Sequence, residues 1–443
     1  MATDLSRRGL LRALAVGPLL LSPLRSFGRQ ASQASAGASH YAPTRHPDRI
    51  VLNVSDDPTT QPVCWRTSTE VDAAILELLE APRGPIDAKK ARRIAAQTTP
   101  LETMLGPSHR HRAVIDGLQP GASYVFRVGD GERWSEWCSF RAFPGGREPF
   151  RFLYLGDSQN DILGQVTRVA RAAMLACPDA AFAAHGGDLV ERGDRDDQWG
   201  EWFESYHPLS RSTPFAVTPG NHDYAIPDPN NRDRRILPDL WKRQFSFPAN
   251  GPEGLRESVY WFDRGDLRFV SLNTMEKLEP QVDWLERVVS TNRRRWTVVM
   301  FHHPVYSSGN ERDSEARKKV LEPAFTRLDV DLVLQGHDHT YARTGLVAND
   351  QPSADRGTVY LTSVTGPKMY RLTPARWHRS LAAQTQLYQV VTVSPDELRV
   401  EAKTVTGELH DSFRILKSPD GRKRLVEDFE PRVYNPVAAE AAR

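Results

Sequence analysis

Cysteine is scarce in this sequence, which has three among its 443 residues: Cys64, Cys138 and Cys177. Their spacing matches neither a cysteine-based zinc site nor a Cys-x-x-Cys redox motif, so the sequence excludes both kinds of centre. Cys64 and Cys138 fall in the same proposed domain. The sequence leaves open a disulfide between these two residues or a pair of buried apolar thiols.

An excess of charge of one sign is also missing, since 58 Lys and Arg side chains nearly balance 56 Asp and Glu side chains. The net charge of +2 gives no strong attraction to nucleic acid or to an anionic membrane, and we expect neither as a stable partner. It leaves room for a local basic pocket. Apolar residues at 39% and charged residues at 26% are ordinary for a globular protein, and the length predicts two domains.

Long apolar runs are absent as well. The stretch from Leu10 to Leu24 is interrupted by an arginine, a glycine and a proline, and it falls short of the roughly 20 apolar residues that cross a membrane. Ser6–Arg12 resembles a twin-arginine export signal, and Ala34-Ser35-Ala36 would suit a signal peptidase. We therefore predict a signal peptide over residues 1–36, a linker over residues 37–46, and export by the twin-arginine machinery to the periplasm or the exterior.

Short strands separated by turns fill residues 47–145. Val63–Thr67 is rich in β-branched and aromatic residues, Tyr124–Val128 alternates in polarity, and Gln119-Pro120-Gly121 is a turn signal. Strands at this spacing predict an all-β sandwich.

The pattern changes after the turn-forming segment Gly145–Pro149, in residues 149–417. Apolar strands alternate there with helical segments, which predicts an α/β domain with its site at the strand ends. Five of the strands are followed closely by Asp, Asn or His, namely Asp157, Asp188, Asn221, His302, and the pair His337 and His339. The charged tail, residues 418–443, is expected to be flexible.

The order of these motifs resembles that of calcineurin-like metallophosphoesterases, most closely the purple acid phosphatase branch. The motifs are Gly156-Asp157, Gly187-Asp188, Gly220-Asn221-His222, Val299-x-x-His302 and Gly336-His337-Asp338-His339. Trp65-Arg66-Thr67 and the segment from Gly117 to Tyr124 also resemble the fibronectin-type-III-like domain of that branch. The resemblance implies a multidomain chain, in which an all-β sandwich precedes an α/β metallophosphoesterase domain built as a four-layer α/β/β/α sandwich. It also implies hydrolysis of phosphate esters.

The resemblance further implies two metal ions that share one carboxylate. Asp188 would be the bridge, and Asp157 and His339 would bind the first metal ion. The second would be bound by Asn221, His302 and His337. Mixed oxygen and imidazole ligands suit iron, zinc or manganese and do not choose among them. Two metals about 3.5–4 Å apart would clamp the attacking and leaving oxygens of an in-line displacement.

Three more residues receive catalytic roles. The resemblance makes His222 the general acid that protonates the leaving oxygen. Where the purple branch has a tyrosine ligand this chain has Glu191, so we expect a protein that is not purple and lacks a stable ferric site. Gly187–Gly193 instead resembles a protein phosphatase motif, and we hypothesise that Glu191 orients His222 and that Arg192 contacts phosphate; an exposed ion pair is the alternative. At Gln159 many calcineurin-like enzymes have a histidine ligand, whereas the purple branch does not.

Several other residues near the motifs have both a ligand-contacting and an ordinary structural interpretation: His303, Tyr306, Lys368, Tyr370, Arg232, Arg234 and Arg235. We expect an exported, acid-phosphatase-like phosphomonoesterase that acts on phosphorylated small molecules. The alternatives are a phosphodiesterase acting on nucleotide or similar diesters and a non-catalytic exported binding or adhesion protein. The intact ligand set argues against the last of these.

Overall fold

The computed structural model describes residues 40–309 and 314–435. The predicted signal peptide and the start of the predicted linker lie outside the described residues, as do residues 436–443 of the predicted tail. No helix in the described ranges is long and apolar enough to span a bilayer.

The strands of the N-terminal domain are β1 (Asp48–Leu52), β2 (Gln61–Ser68), β3 (Ile75–Glu80), β4 (Arg92–Ala95), β5 (Gln97–Thr103), β6 (Gly106–Ile115), β7 (Ser123–Gly129) and β8 (Cys138–Arg141). Those that follow are β9 (Phe150–Leu155), β10 (Ala183–His185), β11 (Phe215–Val217), β12 (Tyr260–Arg264), β13 (Leu267–Ser271), β14 (Trp296–Met300), β15 (Leu332–Gln335), β16 (Tyr341–Thr344), β17 (Val347–Ala348), β18 (Gln351–Pro352), β19 (Val359–Thr362), β20 (His378–Ala382), β21 (Leu387–Val393), β22 (Glu397–Thr404), β23 (Leu409–Lys417), β24 (Lys423–Glu427) and β25 (Val433–Tyr434). The helices are α1 (Thr167–Ala176), α2 (Asp196–Ser205), α3 (His207–Ser210), α4 (Asp239–Gln244), α5 (Glu279–Ser290) and α6 (Glu315–Leu328).

Two four-stranded antiparallel sheets, in strand orders β1-β2-β6-β5 and β4-β3-β7-β8, form the N-terminal sandwich. Successive side chains of a strand point to opposite faces. Val63 and Trp65 of β2 therefore enter the core of the sandwich, whereas Cys64 and Arg66 pack against the second domain. The predicted all-β sandwich is confirmed, and one of its sheets is covered on both faces.

The second domain has two large sheets packed face to face. Their strand orders are β11-β10-β9-β21-β22-β23-β24 and β12-β13-β14-β15-β19-β16-β20-β25. Aromatic rings fill the space between them; the centroids of Phe152 and Phe182 are 4.6 Å apart, and those of Phe182 and Phe269 are 5.2 Å apart. Helices α1 to α4 pack on the first sheet, and α5 and α6 pack on the second. The predicted four-layer α/β/β/α sandwich is confirmed.

The flexible tail predicted for residues 418–443 is wrong over residues 418–435. Strand β24 pairs with β23, and the buried Lys423 amine lies 2.8 Å from Asp329 and 2.9 Å from Asp331. A lysine can be buried where carboxylates neutralise it. The high charge of this segment therefore does not indicate exposure.

All three cysteines lie in the described part of the chain, and none forms a disulfide there. Burial raises the pKa of each thiol to about 12. Of the two alternatives for Cys64 and Cys138, the structure therefore supports buried thiols.

Candidate metal centre

Strand direction brings the five motifs together. Strands β9, β10 and β11 are parallel neighbours in one sheet, and β14 and β15 are parallel neighbours in the other. The carboxyl ends of parallel strands lie at the same edge of a sheet. The loops that follow these five strands carry the six side chains predicted as metal ligands: Asp157, Asp188, Asn221, His302, His337 and His339.

These loops turn sharply at the candidate ligands. Asp157, Asp188, His337 and His339 have φ between 50° and 73°, a left-handed conformation that non-glycine residues seldom adopt. Contacts between loops hold it: the His337 amide donates to the Asp157 carboxylate at 2.8 Å, and the His222 amide donates to Asp188 at 2.8 Å. Backbone of this kind persists where neighbouring contacts fix it, and it is frequent at functional sites.

Backbone carbonyls fix two of the imidazole rings. His302 Nδ1 lies 2.9 Å from the Gly186 carbonyl oxygen, and His339 Nδ1 lies 2.8 Å from the Lys368 carbonyl oxygen. A carbonyl oxygen only accepts, so each Nδ1 carries a hydrogen, and Nε2 presents a lone pair whenever the ring is neutral. Metal-binding histidines have this arrangement, in which the second nitrogen donates to a carbonyl or carboxylate.

Acceptor atoms converge beside Asp188. His302 Nε2 lies 3.2 Å from Asp188 Oδ2, 3.3 Å from Asn221 Oδ1 and 3.2 Å from His337 Nδ1. Acceptors this close repel one another unless a cation or a proton lies among them. Ligand atoms about 2.1 Å from one metal ion are roughly 3.0–3.4 Å apart in octahedral or tetrahedral geometry. The donor set therefore fits a metal ion.

A second group of acceptors adjoins the first. His339 Nε2 lies 3.6 Å from Asp157 Oδ1, and Asp157, Asp188 and His302 offer ligand atoms within 4.8 Å of one another. The exposed fraction of each of these three residues is 0% or 1%. Asp188 lies beside both groups, since its carboxylate is 3.2 Å from His302 Nε2 and within 4.8 Å of a ligand atom of Asp157.

The charges of the site favour a cation. Burial and the neighbouring Asp188 raise the pKa of Asp157 well above its ordinary value, although His302 opposes them. Burial lowers the pKa of His302, but Asp188 and Asp157 outweigh it and raise this pKa to about 9. Buried carboxylates held this close to one another are costly without positive charge nearby.

The structure places the three predicted catalytic residues differently from one another. His222 is partly exposed, and its Nδ1 lies 2.7 Å from the main-chain oxygen of Glu191, whereas the Glu191 carboxylate is 3.7 Å from that nitrogen. Both contacts come from Glu191, and its main-chain oxygen is the closer of the two atoms to His222. Arg192 pairs with Asp194 at 2.9 Å, and its side chain is 60% exposed. The exposed ion pair is thus the arrangement found for Arg192, and among the described residues no contact directs its side chain toward the candidate ligands.

Some of the other residues singled out from the sequence do contact the site. Arg235 donates to the Asn221 carbonyl oxygen at 2.9 Å. The Tyr370 ring lies 4.6 Å from the His339 ring, and the His303 ring lies 4.3 Å from the His337 ring. Tyr306 donates instead to Asp350 at 3.1 Å, and Lys368 contributes its carbonyl oxygen to His339.

Three buried polar residues that support the site were not assigned this role from the sequence. The Asp223 carboxylate accepts from the amides of Leu189 and Gly220 and so connects two motif loops. Asp338 accepts from the Ser308 amide at 2.6 Å. The Gln159 amide nitrogen lies 3.0 Å from both Asp188 Oδ2 and His339 Nε2. In the sequence, these three residues could have been found because each lies within or beside one of the motifs.

Two family models match the chain. Residues 47–142 match the purple acid phosphatase N-terminal domain, and residues 150–341, which contain all five motif loops, match the calcineurin-like phosphoesterase family. The chain therefore has a calcineurin-like phosphoesterase domain preceded by a purple acid phosphatase N-terminal domain, and it is a phosphoester hydrolase. In this combination of domains the chain is similar to purple acid phosphatases.

Individual relatives agree with this assignment. The chain is 28% identical to acid phosphatase type 7 of Homo sapiens over 376 residues, which cover 75% of this chain and 81% of the human protein. It is 25% identical to purple acid phosphatase 15 of Arabidopsis thaliana over 300 residues, which cover 59% of this chain and 55% of that protein. A purple acid phosphatase from yellow lupin (Lupinus luteus) seeds superposes with a TM-score of 0.73 at 17% identity, covering 85% of this chain and 75% of that chain, and so shares its fold.

Proposed function

We propose that this protein is a dinuclear metal-dependent phosphomonoesterase of the acid phosphatase type, which acts on phosphorylated small molecules. The observation that carries the proposal is the convergence of acceptor atoms of Asp188, Asn221 and His337 around the buried His302 Nε2. Asp157 offers a further carboxylate oxygen within 4.8 Å of ligand atoms of Asp188 and His302. The names of the acid phosphatase relatives support a phosphatase activity.

Asp157 and His339 would hold the first metal ion, Asn221, His302 and His337 the second, and Asp188 both. Bound there, the metals would polarise the phosphoryl group and acidify a water molecule. Iron, zinc and manganese all suit this mixture of oxygen and imidazole ligands. Gln159 adds an amide next to the first ion, because its head group is in contact with Asp188 and His339.

His222 would deliver the proton to the leaving oxygen. Its Nδ1 hydrogen is engaged by the Glu191 carbonyl oxygen, so the proton to be donated is held at Nε2. The Glu191 carboxylate lies 3.7 Å from the same nitrogen. The His222 amide also donates to Asp188, which ties the general acid to the bridging carboxylate.

Metal content and activity measured on one purified sample test this function. We expect about two metal ions per chain and turnover of p-nitrophenyl phosphate that a chelator abolishes and metal restores. Comparison with bis-p-nitrophenyl phosphate separates monoesterase from diesterase. Asp188→Asn should lose metal and turnover, whereas Asp194→Asn, which alters an exposed ion pair with Arg192, should retain both. A folded protein that neither binds metal nor turns over either ester after reconstitution would support the binding-protein alternative instead.

Export is proposed from Ser6–Arg12. Changing Arg7 and Arg8 to lysine should retain the protein in the cytoplasm of a bacterial host that exports the unaltered chain by the twin-arginine route. Equal export of both forms would contradict this proposal.

A further inference from the structure

A cavity of about 220 Å³ lies between the two domains, away from the five motif loops. Strand β6 contributes Arg110 and Arg112 to its wall, and the α4 region contributes Lys242, Arg243 and Phe245. None of the described residues that line the cavity is acidic. The cavity thus concentrates four cationic side chains although the whole chain is nearly neutral.

The strand pattern explains this concentration. Arg110 and Arg112 are two residues apart on β6 and therefore share a face of the sheet. That face is turned toward the second domain, because Arg110 donates to Gln244 of α4 at 3.1 Å and to Asp196 of α2 at 3.2 Å. Two adjacent basic residues of α4, Lys242 and Arg243, line the same cavity.

Positive charge is in excess beside the cavity. Asp196 is fully buried and is shared by the guanidiniums of Arg49, Arg66 and Arg110. The second carboxylate nearby is Asp48, which Arg66 contacts at 2.8 Å. Three buried guanidiniums therefore face two carboxylates, and a buried charge that lacks a partner is costly.

Arg110, which lines the cavity, has one N–H donor that makes no hydrogen bond with the described residues. Its exposed fraction is 3%, and its Nε has no hydrogen-bond partner among the described residues. Burial lowers the pKa of Arg110 to about 9, although Asp196 opposes it. An anion in the cavity would accept from such a donor and offset the excess charge.

We propose that the interdomain cavity binds a small tetrahedral oxyanion, such as inorganic phosphate or sulfate. Arginine guanidinium groups suit the oxygens of such anions, and the volume is below the roughly 300–1,000 Å³ of pockets for larger organic ligands. Inorganic phosphate is also the product that the proposed reaction releases, but the binding site itself does not depend on the metal chemistry.

Thermal unfolding of the metal-free full chain tests the proposal, since removal of metal prevents phosphate from binding at the metal centre. Inorganic phosphate, sulfate and chloride are titrated separately at constant ionic strength. We expect phosphate and sulfate to raise the melting temperature saturably, by about 2 °C or more, and chloride to leave it unchanged. A rise that is equal for chloride, or that does not saturate, would overturn the proposal.

Variants locate the effect. The double variant Lys242→Gln with Arg243→Gln should lose the saturable response, whereas the matched double variant Arg171→Gln with Lys319→Gln, which changes exposed basic residues on α1 and α6, should retain it. A response that persists in the first variant would contradict the assigned place. Crystals soaked in selenate give a second test, because an anomalous peak is expected beside Arg110, and peaks confined to other places would overturn the proposal.

Discussion

At the scale of single residues, the site depends on which atom of each side chain is left to bind. Main-chain carbonyl oxygens take the Nδ1 hydrogens of His302, His339 and His222. The Nε2 atom of each ring is then the one that would bind a metal ion or a substrate in the proposed function. A side chain of the right type is thus made functional by backbone that lies far from it in sequence.

Gln159 illustrates how a neighbour controls the ligands. Its amide nitrogen contacts Asp188 and His339 at 3.0 Å, and its oxygen is buried without a hydrogen-bond partner among the described residues. Gln159→Leu removes the polar head group, so we expect metal affinity to fall by about 10–100-fold, as for other groups that support ligands. Competition against a chromophoric chelator measures this change.

Gln389→Leu is the matched control for Gln159→Leu. Gln389 is also buried, but its amide donates to Ser363 rather than to a candidate ligand. It should lose stability without a comparable loss of metal affinity. Equal metal affinity in Gln159→Leu and the unaltered protein would show that the amide has no role at the centre.

Glu191 and His222 are predicted to differ in their effects on turnover. His222→Ala removes the proton donor, and we expect kcat for p-nitrophenyl phosphate to fall by about 10²–10⁴-fold. Glu191→Gln keeps the main-chain oxygen that orients His222. We therefore expect kcat of this variant to fall by less than about tenfold, because the proton donor remains in place. Steady-state kinetics at unchanged metal content measure both. If kcat of Glu191→Gln fell as far as kcat of His222→Ala, the Glu191 carboxylate, and not its carbonyl oxygen, would be the group that orients the His222 ring.

Much of the residue-level site is accessible from sequence, and its limits are physical. The six candidate ligands stand directly after apolar strands, and parallel strands bring their ends together. The sequence does not show which atom of Glu191 meets His222, because main-chain and side-chain oxygens of one residue lie within a few ångströms of each other. It also does not show that Arg192 pairs with its near neighbour Asp194.

At the scale of elements, the backbone of one motif loop, at Gly220, lies very close to Asp188, a candidate metal ligand in another loop. A Cβ atom on Gly220 would lie 2.1 Å from Asp188 Oδ1 and 2.4 Å from the Asp188 amide nitrogen. Gly220→Ala should therefore displace either the Asp188 carboxylate or the loop that carries Asn221. We expect loss of at least one metal ion per chain and destabilisation by about 1–3 kcal/mol, measured by elemental analysis and thermal unfolding.

Gly84→Ala provides the comparison, because a Cβ atom there would meet no described atom within 4 Å. It should keep the metal content and stability of the unaltered chain. If Gly220→Ala also kept full metal content, the close packing of these two loops would not be needed for binding.

Elements were predictable where their pattern is local. The strands before the motifs are short apolar runs, and α5 buries Val282, Leu285 and Val289 at helical spacing. Strand β5 was not anticipated, since no residue of it is fully buried and its alternation is weak. Helix α2 is also hard to predict from sequence, because it contains Gly200 and its packing partner is remote: a Cβ atom on Gly200 would lie 2.3 Å from the Tyr41 ring.

At the scale of the whole molecule, one carboxylate joins the two domains. Asp196 begins α2, shortly after the loop of Asp188, and it accepts from Arg49, Arg66 and Arg110 of the N-terminal domain and from Thr103 at 2.8 Å. The sequence could not show this cluster, because its members are 86 to 147 positions apart from Asp196. The N-terminal sandwich is therefore attached directly to the segment that leaves the metal site.

Asp196→Asn is expected to be the most destabilising of the conservative changes considered. It keeps the shape of the side chain but leaves three buried guanidiniums with too little negative charge, which typically costs about 3–5 kcal/mol. Asp194→Asn, which breaks an exposed pair, should cost within about 1 kcal/mol. Urea unfolding in buffers free of phosphate and sulfate measures both, and similar losses for the two variants would contradict the assigned role of the cluster.

The same cluster makes the stability of the protein depend on pH in the acid range. Burial raises the pKa of Asp196, but Arg49, Arg110 and Arg66 outweigh it and lower this pKa to about 2. Since the unfolded value is about 3.9, ionised Asp196 contributes its full stabilisation above about pH 4 and loses it as the pH falls through 2. The stability difference between the unaltered protein and Asp196→Asn should therefore shrink between pH 6 and pH 3, by about half of the roughly 2–3 kcal/mol that the pKa difference represents. Asp194→Asn should show no such change. If the difference in unfolding free energy between the unaltered protein and Asp196→Asn stayed constant over this range, the three arginines would not be holding Asp196 ionised.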